Sequence, residues 1–125
     1  MNAIEDLVDR YCQGWSDPDP QARARLLLGA LAPGATYTDP RADKLSIDQL
    51  LAHITRTLAA RPGSIVQRTS VVDVHHDVAR FHWHVVLPDG TTLPEGIDFI
   101  ELHENSQRIG RIVGFFGPLG GRSPP

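Results

Sequence analysis

Three side chains of the 125-residue sequence set a proton-transferring group among apolar neighbours. Asp39 follows Ala35-Thr36-Tyr37-Thr38 and precedes Pro40. Asp98 lies in PEGIDFIEL, between Ile97 and Phe99. Tyr11 shares a helical stripe with Ile4, Leu7, Val8 and Trp15. A carboxyl group in a strand is costly unless it is exposed, hydrogen-bonded or protonated. Desolvation by apolar neighbours such as those of Asp98 raises a carboxyl pKa. Each residue also has an ordinary reading. Asp before proline is common in turns, Asp98 would be cheap at an exposed strand position, and Tyr11 would serve as core packing.

Other chemistries find less support. His82 and His84 share one face of a strand and His75-His76 lies across the adjacent turn, a pairing that suits zinc. A catalytic zinc site needs a third protein ligand, however, and Arg80 on the same face would repel a cation. The expectation is a polar outer face and no metal. No serine sits in a G-x-S-x-G elbow, and Cys12 lies in a helix with no histidine near it in sequence, so it reads as structural. Gly117-Pro118-Leu119-Gly120-Gly121 has no helix after it and cannot cradle a phosphate. No cofactor is implied.

Composition narrows the partners. The 12 basic residues are scattered and the net charge is −3, which gives no nucleic-acid face. A single cysteine allows no internal disulfide. No run approaches the ~20 apolar residues of a membrane span, and the acidic, amphipathic N-terminus does not look like a secretory leader. The expected location is the cytoplasm.

Specific elements must position these residues. Helical periodicity predicts a helix over 3–15, broken by SDPDP. A second helix is expected from Asp19 as cap and Pro20 as first residue to about residue 31, ended by Pro33-Gly34. Residues 35–38 form a short strand stopping at Asp39-Pro40. Ser46 caps a third helix whose stripe is Leu50, Ile54 and Leu58, terminated by Pro62-Gly63. From residue 64 the period becomes two, giving strands within 64–75, 78–87, 91–104 and 108–118, with a bend at Pro94 and Gly96. Helices followed by an antiparallel meander predict an α+β domain over 1–119, helices on one face of a curved sheet, with a flexible tail at 120–125. A strongly curved sheet leaves room for a mostly apolar pocket.

This order resembles the NTF2-like superfamily, in particular its SnoaL-like and ketosteroid isomerase-like proteins, over residues 3–118. The residues that carry the likeness are Arg10-Tyr11 on the first helix, Ala35-Thr36-Tyr37-Thr38-Asp39-Pro40, Ile97-Asp98 in the strand before last, and Phe116-Gly117 at the close. The resemblance implies the cone-shaped (cystatin-like) fold. It implies Asp39 as a general base moving a proton between carbons, with Tyr11 and Asp98 donating hydrogen bonds to the dienolate oxygen. By position it makes Trp15, Tyr37, His53, Phe81, Trp83, Ile100, Ile112 and Phe116 the lining of a site for a flat, hydrophobic molecule. Ile54 stands where the isomerases have a second, supporting tyrosine, with His53 beside it. Three functions stay open: a cofactor-free isomerase-type enzyme (or another SnoaL-like activity such as a cyclase, hydratase or hydrolase), a non-catalytic binder of a hydrophobic metabolite, and an interaction domain. A homodimer through the outer sheet face, which carries Arg80, His82, His84 and Phe99, is also expected.

Overall fold

The computed structural model describes residues 3–105 and 107–124. The chain runs α1 (Ala3–Gly14), α2 (Pro20–Ala30), β1 (Leu31–Asp39), β2 (Ala42–Leu45), α3 (Ile47–Ala60), β3 (Ile65–Arg68), β4 (Asp73–His75), β5 (Val78–Val86), β6 (Gly96–Leu102) and β7 (Ile109–Phe115). The strands form one curved, open sheet in the order β2-β1-β7-β6-β5-β3, with β4 also paired to β5. All pairings are antiparallel except β1 with β7. This is the α+β cone that the residue order implies.

Local chemistry explains the helices. The Asp19 carboxylate accepts the Gln21 N–H and Pro20 opens α2, as its sequence predicts. Ser46 and Gln49 form a reciprocal capping box at the start of α3. Two long-range ties then fix the turn that presents Trp15. The Ser16 hydroxyl accepts the Val66 N–H and donates to the Cys12 carbonyl, both at 2.9 Å. The buried Arg23 guanidinium donates to Asp17 O at 3.1 Å and to Thr55 Oγ1 at 2.7 Å, pinning the same turn to α3.

Several expected boundaries move. Pro33-Gly34 does not end α2, which stops at Ala30; it lies inside β1, where Gly34 has φ +80° and the register against β7 slips between Leu31 and Thr36. Proline has no N–H to give a ladder, so a bulge accommodates it. β2, which turns back from Asp39 across Pro40 and Arg41, was not expected. The 64–75 strand splits at Thr69–Val72 into β3 and β4, which pair with opposite halves of β5. Pro94 lies before β6, and the late bulge falls at Glu101/Leu102 instead. Residues 117–124 hold no helix or strand, and Pro125 of the expected tail lies outside the described residues. No helix among the described residues is long and apolar enough to cross a membrane.

Candidate active site

Sheet register brings the two aspartates to one place. Thr38 pairs with Val113, Asp98 with Gly114 and Phe81 with Asp98, so Asp39, Gly114, Asp98 and Phe81 form one row across four adjacent strands. At ~4.8 Å per strand, the two aspartate backbones stand about 10 Å apart with Gly114 between them. A methyl group on Gly114 would lie 2.7 Å from Asp98 Oδ1 and 3.8 Å from Asp39 Cβ. The Asp98 carboxyl group therefore leans over this glycine, and Asp39 flanks it on the other side at its Cβ. Tyr37, Ile112 and Ile100 form the next row on the same face, all buried.

The environments of the two carboxyl groups differ. Asp39 Oδ2 accepts the Tyr37 hydroxyl at 2.6 Å and Oδ1 accepts the Arg41 backbone N–H at 2.7 Å. Among the described residues Asp98 has one side-chain partner, the Trp83 indole N–H, which donates to Oδ1 at 2.9 Å. Burial pushes the Asp98 carboxyl up to about 7, with the charge of Asp39 adding and the Trp83 bond opposing. Burial likewise holds the Tyr37 hydroxyl protonated, far above its ordinary pKa.

Tyr11 reaches the same region from α1. Its side chain is buried, and its hydroxyl is the one buried side-chain polar atom without a hydrogen-bond partner among the described residues. Burial first, then the charge of Asp98, raises its pKa well above the usual value; the Trp15 side chain opposes this. Ile54, where the resemblance expects a supporting tyrosine, is fully buried and carries no hydroxyl. His53 does not replace it. Its Nε2 stands 3.7 Å from Asp39 Oδ2, and its ring packs with Trp15 at 5.9 Å and Tyr37 at 6.1 Å.

Trp83 stacks edge-on against Phe116 at 5.9 Å. Phe116 itself is a correction to the expected lining. It lies beyond the end of β7, is 44% exposed, and stands at the rim with the Arg41 guanidinium 6.0 Å from its ring. The expected open interior is a second correction. A narrow recess under α3, lined by Tyr37, Leu45, Leu50 and Ile112, has no room for a water molecule. The larger hollow, about 680 Å³, lies on the outer face, against Val78, Phe99 and Val113. Trp15, Tyr37 and His53, with centroids 5.6–6.1 Å apart, pack together beside Asp39, so the interior next to the carboxylates is crowded.

Sequence reasoning placed the buried residues but missed two contacts, Tyr37 on Asp39 and Trp83 on Asp98. The spacing of two between Tyr37 and Asp39 puts both on one face of a strand, a local signal for the first contact; the second depends on the register of β5 against β6, which no short stretch encodes. His82 and His84 do face outward with Arg80, next to Glu95 and Gln67 respectively. Cys12 is buried, and burial raises its thiol pKa, as suits a structural residue.

The fold and site define a class: a three-helix, curved-sheet cone whose inner face carries two buried aspartates and a buried tyrosine. The fold is that of the NTF2-like superfamily. A candidate isomerase of the SnoaL-like family from Agrobacterium tumefaciens superposes with a TM-score of 0.85 at 26% identity, over 94% of this chain and 100% of that one. A protein with a ketosteroid isomerase-like fold from Catenulispora acidiphila, in complex with trimethylamine, gives 0.69 at 15% identity, over 89% of this chain and 85% of that one. An NTF2-like superfamily protein from Salmonella enterica gives 0.68 at 20% identity, over 94% and 91%. No known family's sequence profile matches the chain, and no curated protein does.

Proposed function

We propose that the protein is a cofactor-independent enzyme that shifts a proton within a small hydrophobic carbonyl compound. One observation carries the reading: two buried aspartates flank one glycine in a single row of the sheet, and their surroundings differ. Asp39 accepts hydrogen bonds on both oxygens, whereas Asp98 is pushed up to about 7. Titratable pairs whose environments separate them mark an acid and a base.

In this mechanism Asp39 Oδ2 or Oδ1 uses a remaining lone pair to take a proton from the carbon next to the carbonyl. Electron density moves onto the carbonyl oxygen. Tyr11 and neutral Asp98 donate hydrogen bonds to that oxygen, and the same proton returns to the γ-carbon as the conjugated ketone forms. The unpartnered Tyr11 hydroxyl supports this, because a buried donor left without an acceptor gains most from a ligand oxygen. The crowding by Trp15 and Trp83 favours a compact substrate over a four-ring one. Trp15, Tyr37, His53, Phe81, Ile100 and Ile112 contact its body, and Phe116 meets it at the rim.

The test is turnover of β,γ-unsaturated ketones, small cyclic ones and then steroids, followed by absorbance of the conjugated product. Wild type turning over, with Asp39→Asn inactive yet still binding, supports the reading. A wild type inert toward all of them, while ligand binding tolerates Asp39→Asn, favours the second reading, a non-catalytic binder. The crowded interior counts for the interaction-domain reading, which needs no open pocket, and not for the binder.

A homodimer through the outer sheet face forms part of the proposal. Phe99 and Phe115 pair edge-on at 6.0 Å there while 41% and 53% exposed, beside the Arg80–Asp73 and Arg111–Glu101 ion pairs. Sedimentation giving a monomer at micromolar concentration would remove this part alone.

A further inference from the structure

The Trp83–Asp98 contact has been built with unusual care by the surrounding backbone. Trp83 and Gly96 are cross-strand partners on β5 and β6. A methyl group on Gly96 would lie 2.4 Å from Trp83 Cζ2 and 2.7 Å from Cε2, so the indole lies directly over the space a side chain would fill. On the far side of Asp98, a methyl group on Gly114 would lie 2.7 Å from Oδ1. Two glycines on neighbouring strands thus clear the ground for one hydrogen bond. Phe116, perpendicular to the indole, holds its other edge.

The chemistry of the donor then fixes the acid. An indole N–H only donates, so Oδ1 must accept whatever the charge of Asp98. Among the described residues Oδ2 has no hydrogen-bond partner. A neutral carboxyl group carries one proton, and because its carbonyl oxygen is the better acceptor, the oxygen facing the indole N–H is favoured as the carbonyl and the proton is favoured on the other.

We propose that Trp83 is the positioning residue of Asp98: its indole N–H occupies Oδ1, favours the acid proton on Oδ2, and so biases the direction in which Asp98 donates to a ligand oxygen. This deepens the proton-shift reading and rests on it for the identity of that ligand oxygen. The hydrogen bond and its coupling to the Asp98 proton stand without it. A substrate would therefore present its oxygen to the Oδ2 side.

The groups that face Asp98 are Asp39 and Tyr37 from β1, and Tyr11 and Cys12 from α1, with His53 of α3 behind Asp39. Of these His53 is the one whose ordinary titration overlaps that of Asp98, so the test must separate them.

The chain has two tryptophans, so a ¹H–¹⁵N spectrum shows two indole signals, and Trp83→Phe identifies one of them. The Trp83 N–H signal is expected to move downfield as pH rises, with a midpoint near 7, because its acceptor becomes charged. In Asp98→Asn it should stay fixed. A signal that does not titrate between pH 5 and 9, or one that still titrates in Asp98→Asn and so follows His53, overturns the proposal. Carboxyl ¹³C titration of Asp98 gives an independent reading if Asp98→Asn does not fold. Its midpoint should rise in Trp83→Phe, which loses the donor that favours the ionised form, and an unmoved midpoint overturns the proposal. With an active wild type, Trp83→Phe should lower kcat at least tenfold with KM within about threefold; a change confined to KM overturns it. Failure of the wild type to isomerise any ketone counts against the function and leaves the two spectroscopic outcomes decisive here.

Discussion

Asp98→Asn should stabilise the protein, by an amount that grows with pH. The unfolded carboxyl titrates near 3.8 and the folded one near 7. Between those values the native chain holds a proton that the unfolded chain has released, so stability falls as pH rises through the window. Ionising Asp98 in its buried position is the cost, and asparagine never ionises while keeping an oxygen for the Trp83 N–H. From pH 5 to the folded midpoint is about two pH units, each worth about 1.4 kcal/mol, so the advantage of the variant should widen by about 3 kcal/mol between pH 5 and pH 8. Urea unfolding followed by tryptophan fluorescence measures this. At a slope of about 1.5 kcal/mol/M, the gap between the two midpoints should widen by about 2 M. Other titrating groups are common to both chains and drop out of the difference. A gap that is the same at pH 5 and pH 8 would mean that Asp98 is hydrated or already ionised in the fold, and the reasoning would fail.

Three further outcomes follow from single contacts. Tyr11→Phe removes a buried hydroxyl that has no partner, so thermal stability should hold or rise by up to about 1 kcal/mol, while turnover falls about 100-fold through loss of an oxyanion donor. Arg23→Leu breaks the tie from the Trp15 turn to Thr55 on α3; chemical denaturation should report a loss of about 2–3 kcal/mol. Ser46→Ala opens the capping box of α3 and should cost about 1 kcal/mol by the same assay, with no effect on ligand binding.

Much of the fold was legible because its signals are local. Asp19 with Pro20, and Ser46 with Gln49, announce their helices by chemistry confined to a few residues, and strand alternation placed Phe81, Ile100 and Ile112 on the inner face. β1 was not fully legible. Pro33-Gly34 reads as a stop, and only pairing with β7, seventy residues away in sequence, carries the strand through it as a bulge. Phe116 followed the alternation on paper, but the ladder ends at Phe115, and the ring rests at the rim against Trp83.

The site divides the same way. Asp39, Asp98 and Tyr11 stood out as polar groups in apolar surroundings. That the two aspartates flank Gly114 in one row depends on the register of β1, β7 and β6, which no short stretch encodes. The crowding of the interior depends on how Trp15, Tyr37 and His53 interlock from three different elements. Residue type alone gave their apolar character and not the space they leave.

The most direct test of the proton-shift account is kcat/KM against pH, from 5 to 9, for a β,γ-unsaturated ketone. Wild type should lose activity above about pH 7, as Asp98 gives up the proton it donates. Asp98→Asn should be slower and lack that decline, and Asp39→Asn should show no turnover at any pH. A wild-type profile that stays level through pH 7, or an Asp39→Asn variant as fast as wild type, would contradict the assignment of Asp98 as the neutral donor and Asp39 as the base.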